Sequence, residues 1–227
     1  MSLKLTWYGH ASFRIDVDDY ILLVDPYFTD NPSAAVSADQ TEADFILISH
    51  GHGDHTADAA EIAKRTGAQI ISNFEIATWF ENKGLDVHPQ HIGGGFHHPF
   101  GYLKLTLALH GSALPDGSYG GNPAGFLLTT KAGEKLYLAC DTGLFGDMSL
   151  IGEEGIDLAA LPIGDNFTMG PDDALRAVKM LKPKHVIPVH YNTWELIEQD
   201  PDAWAERVEA ETDTKAHALQ PGESLSI

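Results

Sequence analysis

The chain has 227 residues, 43% of them apolar, with 33 acidic against 14 basic side chains and a formal charge of −19. That balance excludes a broad nucleic-acid footprint, because binding a phosphate backbone depends on Lys and Arg displacing counterions, and it demotes a nuclease role. One cysteine offers no intramolecular disulfide and no apolar run approaches about 18 residues, so one cytoplasmic domain over residues 1–227, without a leader or a membrane partner, is expected.

Leu3 to Tyr8, Phe13 to Val17 and Tyr20 to Val24 read as an opening strand meander, with Asp18-Asp19 as a turn. Ala43 to Ile48 forms a strand, and the chain then enters Ser49-His50-Gly51-His52-Gly53-Asp54-His55-Thr56. A helix is predicted over Ala57 to Arg65, with Thr56 as its N-cap and Gly67 as its stop. Ile70-Ile71-Ser72 is a short strand, and Glu75 to Asn82 a helix ended by Gly84. Tyr102 to Leu109 alternates as a strand, and Gly125 to Thr130 and Lys135 to Ala139 form a hairpin. Asp157 to Pro162, a helix over Asp172 to Leu181, and Val186 to Val189 make a βαβ-like close before a tail helix from Pro201 to Ala210. Asp30 to Gln40 and Leu114 to Pro123 are irregular loops and candidate covers for a pocket; His88, His91, His97 and His98 read as solvated loop residues.

The densest chemistry lies in the loop after Phe45-Ile46-Leu47-Ile48, where three imidazoles and a carboxylate fall within six positions. This is metal-ligand chemistry at a strand end, with Gly51 and Gly53 expected to let the backbone fold tightly enough for the side chains to converge. The remaining donors must come from elsewhere. His110, Asp141 and His190 each close a predicted strand and are each of a metal-binding type.

At this point the chain resembles the metallo-β-lactamase superfamily, through the motif from His50 to His55 followed in order by a lone His, a lone Asp and a final His. Trp7 to Phe13, Val24-Asp25-Pro26, Pro162 to Pro171 and Pro188 to Thr193 are similar to its compact subgroup of largely uncharacterised metal-dependent hydrolases. That subgroup is related to ascorbate-6-phosphate lactonases and, more distantly, to phospholipases of the N-acylphosphatidylethanolamine type. The resemblance implies an α/β fold, the four-layer αββα sandwich, with a dinuclear site at one edge between two sheets. It assigns one metal to His50, His52 and His110, a second to Asp54, His55 and His190, and makes Asp141 the bridge.

Imidazole and carboxylate suit zinc, with manganese and iron as the other candidates, and two ions about 3.5 to 4 Å apart can share a water and lower its pKa toward neutrality. Asp54 would orient the resulting hydroxide or take its proton, and the expected reaction is hydrolysis of a small ester, lactone or phosphodiester. The diiron relatives carry Glu where this chain has His52, which disfavours a redox site. The antibiotic-cleaving relatives use Cys where this chain presents Asp141; strand alternation turns the neighbouring Cys140 to the opposite face. His10, Asp25, Asn166, Tyr191 and Asn192 are weaker candidates for binding substrate or supporting the ligands. Two competing classes are a mononuclear iron enzyme of persulfide dioxygenase type and a non-catalytic metal-dependent binding protein. Arg14, Arg65, Arg176 and Arg207 are scattered, so no clamp for a phosphorylated lactone is evident, and oligomeric state is unreadable.

Overall fold

A computed structural model describes residues 3–227. Its first sheet opens with the antiparallel meander β1 (Lys4–Gly9), β2 (Ser12–Val17) and β3 (Tyr20–Val24), and continues in parallel through β4 (Phe45–Leu47), β5 (Gln69–Asn73) and β6 (Val87–Gln90). The helices α1 (Gly53–Thr56), α2 (Ala59–Thr66) and α3 (Phe74–Glu81) lie in those crossovers. The second sheet repeats the plan: β7 (Gly95–His98), β8 (Gly101–Leu107), β9 (Ala124–Thr129) and β10 (Lys135–Leu138) are antiparallel. From β10 onward, β11 (Leu158–Pro162), β12 (His185–Val189) and β13 (Lys215–Ala216) run parallel, connected through α4 (Met148–Gly152), α5 (Pro171–Leu181) and α6 (Pro201–Glu211). A last strand, β14 (Ser224–Ser226), returns to pair with β1.

The continuous apolar run at β4 follows from burial on both faces, as parallel strands require. Leu47 and its neighbours Val24 and Ile71 face the other sheet, joining the core that includes Phe126, Leu138 and Ile187. The alternate residues Leu23, Ile46, Ile48 and Ile70 face outward onto Ile62, Ile76 and Phe80 of the helices. On the far side, α5 and α6 pack Leu175, Val178, Trp204 and Val208 against the second sheet. The layers are therefore helix, sheet, sheet and helix, the expected αββα sandwich.

Strand direction decides where function can sit. Since β1 is antiparallel to β2 and β2 to β3, while β3 is parallel to β4, the strands β1, β3 and β4 all end at one edge of the first sheet. By the same count β8, β10, β11 and β12 all end at one edge of the second. A backbone bond from His190 N to the His10 carbonyl, 3.0 Å, and another from Ala124 N to the Ser49 carbonyl, 3.0 Å, join the two edges.

Several local expectations change. Thr56 closes α1 and is not a cap; the helical stretch begins at Gly53 with His52 as N-cap, and Asp58 precedes α2. His88, His97 and His98 lie on strands, and His98 is buried, its Nε2 3.0 Å from Gln90 Oε1. The strands β6 and β7 are edges whose polar residues break the apolar alternation, and β13, β14 and α4 are too short to leave a pattern. Gly51 and Gly53 have no left-handed backbone; a Cβ on Gly51 would press at 3.1 Å on the Ala113 backbone, whereas one on Gly53 would meet nothing within 4 Å. Gly53–Thr56 instead forms a helical turn that carries Asp54 and His55, with His52 as its N-cap.

Candidate metal centre

Each candidate donor follows a strand that ends at the shared edge. The loop after β4 and the turn of α1 carry His50, His52, Asp54 and His55, while His110, Asp141 and His190 follow β8, β10 and β12. Four non-glycine residues just past these strand ends, His10, Asp25, Cys140 and His190, have φ between 43° and 55°. Left-handed backbone is unfavourable for such residues, and its concentration here marks a place where packing holds the chain against local preference.

The donors form two adjoining groups. His50, His52 and His110 each offer a nitrogen within 4.8 Å of the others, and His50 Nε2 lies 3.0 Å from His52 Nδ1. Asp54, His55 and His190 form the second group, together with His10. Asp141 lies between them: its Oδ2 is 3.0 Å from His190 Nε2 and 3.5 Å from the Nε2 atoms of both His55 and His110. Donors bound at 2.0–2.1 Å in a tetrahedron lie about 3.3 Å apart, so these separations are those of coordination edges. Asp141 Oδ1 and His55 Nε2 are buried and have no hydrogen-bond partner. Such a concentration of unpaired buried donor atoms fits a divalent cation.

Behind the donors a relay sets the tautomers. Asp25 is fully buried; its Oδ2 accepts from His55 Nδ1 at 2.9 Å and from Ser49 Oγ at 2.5 Å, and Ser49 N donates to its Oδ1 at 2.8 Å. Because Ser49 Oγ gives its proton to Asp25, it accepts from His50 Nδ1, 2.9 Å away. One carboxylate therefore turns the Nε2 lone pairs of both His50 and His55 toward the centre. His10, also fully buried, places Nε2 3.3 Å from Asp54 Oδ2 and Nδ1 2.8 Å from Thr193 Oγ1.

The charges follow this arrangement. Burial opposes ionisation of Asp141 and Asp54, yet both carboxyls are held below the usual carboxylate range, Asp141 by His190 and His55, Asp54 by its hydrogen bond from His10 and by His55. Burial, reinforced by the neighbouring His190, pushes His10 down to about 4, so it is neutral at pH 7; burial and His55 likewise depress His50. Burial also works against a charge on His55, but Asp141 and Asp25 outweigh it and raise its pKa, favouring positive charge at that nitrogen.

Above the donors opens a cavity of about 500 Å³. Its floor includes His52, Asp54, His110, Asp141 and His190, and its walls are Phe167, Trp194 and Leu196. Neither Asp30 to Gln40 nor Leu114 to Pro123 lines it, so the two expected covers are replaced by the loops after β11 and β12. Of the weaker candidates, Asp25 and His10 touch the donors directly. Asn166 is exposed beside Phe167 without lining the cavity. Tyr191 is buried in the core with its ring 5.4 Å from Trp7, and Asn192 Oδ1 accepts from Gln199 N at 2.8 Å, which shapes the second wall loop. Ser49, Phe167 and Thr193 lay inside stretches the sequence singled out without being given a role, and Trp194 and Leu196 lay just beyond the last of them.

Two seven-stranded sheets between helices, with histidines and carboxylates gathered at one edge, define the metallo-β-lactamase class of fold. The family model described as beta-lactamase superfamily domain matches residues 20–191. A UPF0173 metal-dependent hydrolase of Desulforamulus reducens is 51% identical, covering 99% of this chain and all of that protein, and one of Thermus thermophilus is 44% identical over 99% of each. The solved structure of Igni18, a metallo hydrolase from Ignicoccus hospitalis, superposes with a TM-score of 0.92 at 35% identity, covering 100% of this chain and 99% of that one. The chain belongs to the UPF0173 metal-dependent hydrolases of the beta-lactamase superfamily. Among the described residues no helix is long and apolar enough to cross a membrane.

Proposed function

We propose that the chain is a dinuclear hydrolase of small esters, lactones or phosphodiesters, with zinc as the metal best suited to its donors. His50, His52 and His110 would hold one ion, Asp54, His55 and His190 the other, and Asp141 both. The observation that carries this reading is the position of Asp141 Oδ2, 3.0 to 3.5 Å from nitrogens belonging to both groups. When bound, the two ions would supply Lewis acidity, bringing the pKa of a shared water toward neutrality and polarising the scissile carbonyl or phosphoryl oxygen.

The remaining chemistry falls to the side chains. The ionised Asp54 can accept a hydrogen bond from the attacking water, orienting it or taking its proton. Neutral His10 donates from Nε2 to Asp54 Oδ2 and accepts at Nδ1 from Thr193 Oγ1, which holds the carboxylate in one orientation. Asp25 keeps His50 and His55 in the tautomer that presents Nε2.

The test is metal content of protein purified without chelator, alongside a panel of small esters, lactones and phosphodiesters. Two equivalents of zinc or manganese are expected, with turnover lowered roughly a hundredfold or more in Asp54→Asn while the fold is retained. A single iron with oxygen-dependent chemistry would overturn the reading in favour of a dioxygenase.

A further inference from the structure

The walls of the cavity are chemically unlike its floor. Phe167, Trp194 and Leu196 are 50%, 36% and 68% exposed, large apolar side chains turned outward directly above the candidate ligands. Their exposure is built into the loops. Between Gly164 and Gly170, Asp165 and Asn166 take left-handed backbone, and buried Met169 donates its N–H to the Thr142 carbonyl at 2.9 Å, so Phe167 is displayed between anchored ends. In the second loop, Asn192 N bonds to the carbonyl of buried Ile197 at 2.9 Å, and Ile197 N to that of Trp194 at 3.0 Å. The Trp194 ring stands edge-on to His10, with centroids 4.9 Å apart.

None of the 14 Lys and Arg side chains lines the cavity. Arg14, Arg65, Arg176 and Arg207 are paired with Asp16, Glu42, Asp173 and Asp172, away from it. A substrate with a phosphate or carboxylate handle would find no cation there beyond the metals, in a protein of formal charge −19. An apolar group entering the cavity would instead cover surface that is otherwise left in water. A space of about 500 Å³ is within the range of small-molecule sites.

We infer that the non-reacting part of the substrate is uncharged and apolar, of the size of an aromatic ring or a short alkyl chain, and is held between Phe167, Trp194 and Leu196. The reacting bond then lies over the metal donors, and the walls set specificity. This inference rests on the proposed hydrolysis for its floor only; the walls can be tested without turnover.

The experiment uses p-nitrophenyl acetate, butyrate and hexanoate with chains of matched length ending in carboxylate, and in parallel the binding of the corresponding neutral and acidic anilides by calorimetry. In the wild type, kcat/KM and anilide affinity should rise roughly fourfold per added methylene, and the acidic members should be at least roughly tenfold poorer. Phe167→Ala and Trp194→Ala should flatten the dependence on length. Leu196→Lys, at an exposed position with little folding risk, should improve the acidic members. If no ester turns over but anilide affinity follows this pattern, the hydrolytic reading fails and the walls stand. Preference of the wild type for acidic chains, or a length dependence unchanged in the Ala variants, would overturn the inference. A change of oligomeric mass in Leu196→Lys with the length dependence intact would make the patch a contact between copies and overturn it as well.

Discussion

The two halves of the molecule share one strand plan yet contribute to the centre differently. In the first half, four candidate donors fall between His50 and His55, carried by the loop after β4 and by one turn of helix. In the second, His110, Asp141 and His190 stand alone, and they meet only because β8, β10 and β12 point the same way. The first cluster is a product of local folding, and the second is a product of sheet register. A centre that needs both can be complete only when the sheets have packed. Asp141, from the second half, touches donors of both groups.

The largest expected effect tests that asymmetry. On the proposed dinuclear reading, Asp141→Ala should weaken binding of both ions by more than roughly a hundredfold, beyond the range usual for outer-sphere substitutions, while His52→Ala should weaken only one. Metal analysis after gel filtration distinguishes them, and two ions retained without Asp141 would break the comparison. Next comes Asp25→Asn, which should weaken affinity roughly 10- to 100-fold in a competitive chelator titration. Because Asp25 reaches His55 directly and His50 through Ser49, both ions should weaken; an effect on one alone would remove Ser49 from the relay.

A third effect, on stability and not on metal affinity, concerns His10, which spans the halves through its ring contact with Asp54 and its carbonyl bond from His190. Its pKa is about 4 in the native chain against 6.5 for a free side chain. Between those values the unfolded chain binds a proton that the native chain does not, so stability present above pH 6.5 falls as pH drops toward 4. The whole window is worth roughly 3 kcal/mol. Urea unfolding of chelator-treated protein at pH 7 and pH 5 should show about 2 kcal/mol of this loss, and His10→Gln should reduce it; an equal loss in the variant would assign it to other groups.

Much of this was legible from residue type and spacing. Phe45 to Ile48 announced a strand, and the dense motif after it announced a metal loop, because few other roles call for three imidazoles and a carboxylate so close together. The helix stops at Gly67 and Gly84 and the proline start at Pro201 were equally plain, since backbone conformation itself restricts those residues. The edge strands β6 and β7 were not, because His88, Pro89, His97 and His98 are a poor match to any apolar alternation and pair only when a neighbouring strand is present.

Residue type and spacing were enough to pick out the candidate donors, since metal chemistry demands particular side chains, and the motifs' resemblance to the metallo-β-lactamase superfamily carried the layered architecture. Tertiary packing alone showed that Asp25 serves His55 directly and His50 through Ser49, that His10 reaches Asp54, and that Tyr191 belongs to the core. It also moved the cavity walls from the two irregular loops to Phe167, Trp194 and Leu196. The physical reason is the same in each case: a hydrogen-bond partner or a wall is defined by what lies across a gap between strands far apart in the chain. Serine, phenylalanine and leucine are too common for their type alone to reveal it.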